Sequence, residues 1–279
     1  MNIQDTQITF RAGLTSRMRS DIKSCDTAKI SRYFQEHNIK TDFRGNKTIA
    51  WCSLKSFEII KRFNQMFCLN LGLPNGIFVE DFKALRCKNE QALGFLNFAP
   101  TKLYIENDKI IDGKTIFFNE YKDYNYSRGN QIWESIDEIA DNNYESGFST
   151  TDFFLETFLH EFVHAVHEDN LLQKLGPNKT LKQLRKAFNS KNIEKFREDK
   201  AILFKDICHY AMQNPLEAIA CDISKRTISA IDKETLQPKI NFIEKSPYDN
   251  RSFIKQILNF LDKDEASRLL GKYWRGNFN

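Results

Sequence analysis

Residues 151–172 read TDFFLETFLHEFVHAVHEDNLL, and this stretch decides the fold around it. It contains no proline or glycine, and Ser149, Thr150 and Thr151 each offer an N-cap, so the sequence predicts a helix. Apolar side chains surround most of the helix circumference, which predicts that the helix is buried. These side chains are Phe154, Leu155, Phe158, Leu159, Phe162 and Val166.

Within that helix, residues 160–164 form the pattern His-Glu-x-x-His. Positions four apart lie on one face because a helix turns every ~3.6 residues. His160 and His164 can therefore both point an imidazole at one Zn²⁺, and Glu161 stands where it can hold and deprotonate a metal-bound water. The alternative is a pair of core histidines that hydrogen-bond to neighbours. We prefer the metal because such polar groups in a buried helix are costly unless a partner satisfies them.

The third ligand is sought further along the chain, because a catalytic zinc usually takes three protein ligands and a water. Some metalloproteases place a third histidine six residues after the second, but here that position is Asn170. Glu217 is the better candidate, since it opens an apolar helix after Asn214 and Pro215 and needs a strong partner there. Its alternative role is to form a capping box with Asn214. Weaker candidates for the third ligand are His167, His209 and Asp222.

The composition limits the class of protein. The chain has 279 residues, 41% of them hydrophobic, and a net charge of +4, so it can build a sizeable core and nothing demands nucleic acid. The 6 cysteines include no CxxC pair, which favours reduced thiols over a disulfide framework. No segment approaches the ~18 apolar residues of a membrane span, and no signal-peptide pattern is present. We expect a cytoplasmic protein, or one exported without a classical signal peptide, with no membrane partner.

The order of predicted elements favours an α+β protein. Residues 14–37 and 53–71 are predicted helices, the second with Ser53 as its cap, and residues 48–51 are a predicted short strand. The run 77–120 is rich in β-branched and aromatic residues, which is typical of strands. The chain after residue 150 has a mostly helical pattern.

This order suits a zincin-like catalytic domain, in which a small mixed β-sheet packs on the His-Glu-x-x-His helix. The edge strand of such a sheet can pair with an extended substrate. Asp112-Gly113 indicates a hairpin between two of the predicted strands. We expect residues 73–279 to form the catalytic domain and residues 1–72 a helical lobe packed on it.

Two segments carry a resemblance to a known family. HEFVHAVH at 160–167 and YAMQNPLE at 210–217 together resemble the catalytic domain of the anthrax lethal factor family, a gluzincin group of metallopeptidases. The resemblance covers about residues 150–225. In that family a glutamate seven residues after a tyrosine is the third zinc ligand, and the tyrosine helps to stabilise the developing oxyanion. The resemblance implies these roles for Glu217 and Tyr210.

The chain departs from that family just after Glu217. The family continues with aromatic residues and a second glutamate four residues on, whereas this chain continues Ala218-Ile219-Ala220-Cys221. Asp222 is the adjacent carboxylate. The residue that supports the metal ligands therefore differs from the family pattern.

Together these features predict a zinc-dependent endopeptidase that hydrolyses peptide bonds of a protein or peptide substrate. His160, His164 and Glu217 are the expected ligands of Zn²⁺. Glu161 is the expected general base, and Tyr210 the expected donor to the oxyanion. Two alternatives remain at this point: a regulatory metalloprotease of the repressor-cleaving kind, and a non-catalytic binding protein with a relic zinc site.

Overall fold

The chain is an α+β protein in the computed structural model, which describes residues 14–66, 72–85, 92–97, 101–102, 110–111, 113–120, 140–187, 189–191, 193–194 and 208–239. The helices are α1 (Ser16–Ser24), α2 (Thr27–Glu36), α3 (Lys47–Met66), α4 (Glu156–Leu175), α5 (Pro177–Ala187) and α6 (Pro215–Ala230), with a short 3-10 helix at Tyr210–Met212. The strands are β1 (Lys40–Asp42), β2 (Gly76–Glu80), β3 (Gly94–Asn97), β4 (Thr101–Lys102), β5 (Ile110–Ile111) and β6 (Thr115–Asn119). No helix in these ranges has the length and apolar character needed to cross a membrane.

The main sheet is mixed, as the sequence predicts. Its strand order is β1-β2-β6-β3; β1, β2 and β6 run parallel, and β3 pairs antiparallel with β6 at the edge. Every residue of β6 is buried, which fits a central strand covered on both faces. β4 and β5 form a separate antiparallel pair.

The sheet packs on α4, the helix that carries the His-Glu-x-x-His pattern. The rings of Phe118 in β6 and Phe158 in α4 lie 4.7 Å apart, and both are buried. At the sheet edge, β3 approaches the same helix so closely that a Cβ on Gly94 would lie 3.1 Å from Cγ of Glu161. The edge strand therefore lies directly beside the motif.

The N-terminal helices share the core of the sheet and α4. One apolar cluster joins buried residues of α1, α2 and α3 to those of β2, β6 and α4. Trp51 of α3 stacks on Phe154 at a ring separation of 6.3 Å. The region also supplies β1, whose residues 40–42 pair with β2. The proposed boundary at residue 72 stays a prediction.

Three predictions for the N-terminal region were wrong. Residues 48–51 form the first turn of α3 rather than a strand, because the Asn46 side chain accepts a hydrogen bond from the Ile49 N–H and starts the helix there. The helix predicted to begin at Ser53 therefore begins at Lys47. The single helix predicted over 14–37 is two helices: α1 ends with Cys25 as its C-cap, and Asp26 caps α2 through the N–H groups of Ala28 and Lys29.

The motif helix begins later than predicted. Thr150 and Thr151 donate hydrogen bonds from both N–H and hydroxyl groups to the buried Glu156 carboxylate, at 2.5–2.7 Å. These bonds hold residues 150–155 in a turn, so α4 starts at Glu156 and neither threonine is its cap. The helix ends at Gly176, whose φ of 73° favours glycine.

The hairpin predicted at Asp112-Gly113 was also wrong. β5 pairs with β4, whereas β6, on the other side of the turn, pairs with β2 and β3. Asp112 itself lies outside the described residues. The chain instead passes from one sheet into the other between β5 and β6, and local sequence does not specify which strands pair.

Candidate metal centre

Three side chains from two helices meet in a buried group. His160 and His164 of α4 place their Nε2 atoms 3.0 Å apart. Oε2 of Glu217, from α6, lies 2.9 Å from Nε2 of His160 and 3.1 Å from Nε2 of His164. Among the described residues this is the one group of three or more such side chains whose ligand atoms lie close enough to share an ion. The structure thus brings together the three predicted ligands.

The first turn of α6 positions Glu217. The Asn214 side chain accepts hydrogen bonds from the N–H groups of Leu216 and Glu217, at 2.9 and 3.2 Å, and Pro215 occupies the first turn. The backbone start predicted from the sequence is therefore present. The Glu217 carboxylate bonds the two histidines across the helix interface, and not the Asn214 N–H that a capping box would use.

The separations of the three atoms fit a shared ion. Ligand atoms at ~2.0–2.1 Å from one tetrahedral metal lie ~3.4 Å from each other. The observed separations of 2.9–3.1 Å need to open by only a few tenths of an ångström. Two imidazoles and one carboxylate leave a fourth coordination position for a water or substrate. The group is a possible metal site, and its donor atoms suit several divalent metals.

The charges within the group depend on each other. Burial lowers the pKa of His160, but the hydrogen bond and charge of Glu217 outweigh burial and raise that pKa to about 9. Burial opposes ionisation of Glu217, yet the charge of His164 and hydrogen bonds from both histidines hold its pKa well below the usual range. The metal-free group therefore holds a proton that a metal ion must displace.

Glu161 lies beside this group. Its side chain is buried, and its Oε2 has no hydrogen-bond partner among the described residues. Burial raises the pKa of Glu161, while the charges of His160 and His164 lower it in opposition. A buried carboxylate oxygen without a partner is costly. The carboxylate without this partner interacts through its charge with all three members of the group, His160, His164 and Glu217.

Tyr210 packs against His160, at a ring separation of 5.7 Å. Burial raises the pKa of Tyr210, and the charges of Glu217 and Glu161 raise it further, so the phenol stays protonated and can donate. The Phe148 ring packs against the tyrosine ring at a centroid separation of 4.6 Å and a tilt of 41°, while Phe148 remains 46% exposed. The neighbouring His209 N–H donates to the Gly147 carbonyl at 2.5 Å. The tyrosine thus sits against an anchored loop.

The weaker ligand candidates do not join the group. His167 is buried one turn further along α4. His209 is exposed, and its ring lies next to Gly147. Asp222 forms an ion pair with Arg226 at 3.0 Å. The described structure therefore separates these three residues from the ligand atoms of the candidate site.

One neighbour of the site was missed in the sequence. Sγ of Cys221 lies 3.9 Å from Nδ1 of His160, on the side of the ring away from the ligand atoms. Cys221 is four residues after Glu217 and so lies on the same face of α6. The four-residue spacing from Glu217 to Cys221 was the feature of the sequence that could have predicted this contact. The position of Asp222 next in the chain was not.

Removal of the Glu217 carboxylate is expected to weaken metal binding. Glu217→Gln keeps the side-chain size but loses the anionic ligand, so Zn²⁺ affinity should fall by more than about 100-fold, beyond the usual loss for a supporting residue. Competition with a chromogenic chelator measures this. Asp222→Asn, on the same helix but paired with Arg226, is the matched control and should keep the wild-type affinity. Equal affinity in both variants would contradict the assignment.

Metal binding is also expected to release a proton. Because the pKa of His160 is raised to about 9, the metal-free group is protonated at neutral pH and loses its proton only as the pH rises through that value. Zn²⁺ affinity should therefore rise by ~tenfold per pH unit from slightly acidic pH towards 9. Calorimetric titration in two buffers with different ionisation enthalpies reports the released proton directly. An enthalpy independent of the buffer would contradict this expectation.

Comparisons with protein-family models, with curated proteins and with solved structures found no match to this chain. A function can therefore be argued only from the residues and the geometry of the chain itself.

Proposed function

We propose that the chain is a zinc-dependent endopeptidase of the gluzincin type, with a zincin-like catalytic domain. One observation carries the proposal: the buried Glu161 carboxylate, with an unpartnered oxygen, adjoins the group formed by His160, His164 and Glu217. A purely structural metal site has no need of such a base. A peptidase needs both parts, the ligands to hold the ion and the carboxylate to move a proton.

The ligand set supports zinc as the metal. Two histidines and a glutamate, with a fourth position left for water, are the ligand set of several zinc peptidases. His160, His164 and Glu217 would hold the ion. When bound, Zn²⁺ supplies Lewis-acid polarisation of a carbonyl group and lowers the pKa of water. The remaining work belongs to protein side chains.

Glu161 would act as the general base and then as the acid. Its pKa is raised by burial and lowered in opposition by the two histidines, which brings the carboxylate closer to the operating pH than an exposed glutamate. The unpartnered oxygen would take a proton from the attacking water. The same oxygen would then deliver that proton to the leaving amine.

Tyr210 would donate a hydrogen bond to the negative charge that develops on the scissile carbonyl oxygen. Its raised pKa keeps the hydroxyl protonated through the neutral range, as a donor must be. The contact with Phe148 and the hydrogen bond from His209 to Gly147 hold this part of the chain in place. A donor fixed before the reaction lowers the barrier more than one that must reorganise.

The edge strand β3 would bind the substrate. It is one of the two edge strands of the described main sheet, runs antiparallel to β6 and lies beside Glu161. An extended peptide can add to such an edge through main-chain hydrogen bonds, which suits a protein or peptide substrate. Gly94 supports this arrangement, because a side chain there would press on Glu161 at 3.1 Å.

The central test replaces the base. Glu161→Gln should retain zinc at the wild-type level and lower kcat/KM by at least about 100-fold, because general-base assistance is lost while the ligands remain. Cleavage of a broad peptide library, together with metal analysis, measures both. Glu168→Gln is the matched control: it alters a buried carboxyl of the same helix whose pKa burial raises to about 8, and activity should be unchanged.

Three results would contradict the proposal or favour one of its alternatives. Unaltered cleavage by Glu161→Gln would exclude Glu161 as the base. Zinc binding without any cleavage by the wild-type chain would favour a non-catalytic binding protein. Cleavage confined to a transcriptional repressor would favour the repressor-cleaving alternative.

The role of Tyr210 can be tested by removing its hydroxyl. Tyr210→Phe keeps the ring that packs on Phe148 and should lower kcat by about 10- to 100-fold with little change in KM, because the donated hydrogen bond is made mainly in the transition state. Steady-state kinetics on a peptide found by the library separates the two constants. Phe148→Leu, which leaves the hydroxyl intact, distinguishes loss of the donor from loss of packing. An unchanged kcat in Tyr210→Phe would exclude the catalytic role.

A further inference from the structure

The positive charge of the chain is concentrated in one segment. Residues 171–205 contain 10 of the 41 Lys and Arg residues but only 3 of the 37 Asp and Glu residues. The rest of the chain therefore has a net negative charge, although the whole chain is at +4. The excess of basic residues is a local feature of this segment, and a local excess of one sign indicates a place where a partner of the opposite sign can bind.

Helix α5 displays part of this charge on one exposed face. Lys179, Lys182 and Arg185 are all exposed and follow one another at intervals of three residues, so they form a row along the helix, here called the basic row. The sequence of α5 contains no Asp or Glu. Within the part of the chain that the structure describes, none of the three side chains has an ion-pair partner.

The basic row does not stabilise the helix that carries it. Lys179 lies in the first turn of α5, where the helix dipole disfavours a positive charge and no acidic residue offsets it. Like charges that are neighbours on one helix face add a further small cost. An acidic partner would remove both costs, whereas the helix alone gains nothing from this arrangement.

The opposite face of α5 joins it to the helices of the candidate metal site. Leu184 of α5 is buried in one apolar cluster with Leu171 of α4 and Leu216 of α6. Leu216 directly precedes Glu217 in the chain. Because this packing holds α5 on both helices, the basic row keeps a fixed position relative to the metal-ligand group.

We propose that the basic row binds a short acidic segment of the protein substrate. The proposal rests on the peptidase function, since it makes the acidic segment part of the chain that is cleaved. Carboxylates of the segment pair with the three cations, while another part of the same substrate reaches β3 and the metal-ligand group. Attachment at two places raises the effective concentration of the scissile bond at the site.

The charge distribution favours an acidic peptide segment over a nucleic acid. The basic row spans ~9 Å of helix, which matches the length of a few residues of extended peptide. Specific nucleic-acid binding commonly uses ~6–10 phosphate contacts, more than three cations supply. Outside residues 171–205 the chain is net negative and would repel the remainder of a long polyanion.

The binding test uses a fluorescein-labelled oligoglutamate peptide and a matched peptide in which every Glu is Gln. Fluorescence anisotropy with the wild-type chain should show binding of the Glu peptide alone, and the affinity should fall as added salt screens the charges. Lys179→Gln/Lys182→Gln/Arg185→Gln should weaken binding about tenfold, the effect expected for the loss of three exposed ion pairs. Gln has nearly the helix propensity of Lys and Arg, so α5 is kept.

The control variant removes the same charge elsewhere on the chain. Lys23→Gln/Lys29→Gln/Arg32→Gln changes three exposed residues of α1 and α2 and should bind the Glu peptide as the wild type does. Equal weakening in both triple variants would show an effect of net charge and overturn the proposal. Equal affinity for the Glu and Gln peptides would overturn it too, as would displacement of the Glu peptide by a single-stranded oligonucleotide more readily than by unlabelled Glu peptide.

The cleavage test joins the Glu or the Gln sequence to a cleavable peptide through Gly/Ser linkers of graded length. The Glu extension should lower KM about tenfold at the best length and leave kcat unchanged, and substitution of the basic row should abolish this difference. Equal KM for both extensions at every length would overturn the role in substrate binding. A wild-type chain that binds the Glu peptide but cleaves no peptide would retain the basic row as a surface for an acidic segment and contradict the peptidase function.

Discussion

The interaction on which the site depends is the contact between the Glu217 carboxylate and the two imidazoles of α4, made inside an otherwise apolar helix interface. Burial alone would drive His160 and Glu217 towards their uncharged forms. Their mutual contact reverses that tendency and leaves a compact, charged group that α4 and α6 must both maintain. The helices cannot slide past each other without separating these charges, so one polar contact sets the register of the packing.

The N-terminal end of each helix fixes the positions of the residues that this helix contributes to the contact. Asn214 caps α6 and places Glu217 in the first turn, and the clamp of Thr150 and Thr151 on Glu156 sets where α4 begins. Because α4 starts at Glu156, the first histidine follows within about one turn. The two helix starts thus determine which side chains can meet. Apolar packing against the sheet then supplies the stability that the polar group does not.

The parts that could be predicted from the sequence are those set by short-range rules. The spacing of His160 and His164 fixes a shared helix face, and Asn214-Pro215 marks a helix start. The predictions that were wrong concern elements whose structure depends on residues distant in the sequence. Residues 48–51 have strand-like composition, yet the Asn46 cap and burial against the core make them helical. The pairing of β6 with β2 and β3, and the contact of Cys221 with His160, arise from packing that no local pattern encodes.

The pairing of β1 with β2 makes the sheet dependent on the beginning of the chain. The apolar strand β2 lies between β1 and β6, and removal of residues 40–42 would expose a row of its main-chain N–H and C=O groups. Exposed apolar strand edges recruit other strands, so a shortened chain that lacks β1 would be prone to intermolecular association. A parallel pair also cannot form until both segments have been synthesised and brought together. The helix that carries the His-Glu-x-x-His pattern therefore completes its scaffold only through a long-range step that joins it to the N-terminal region.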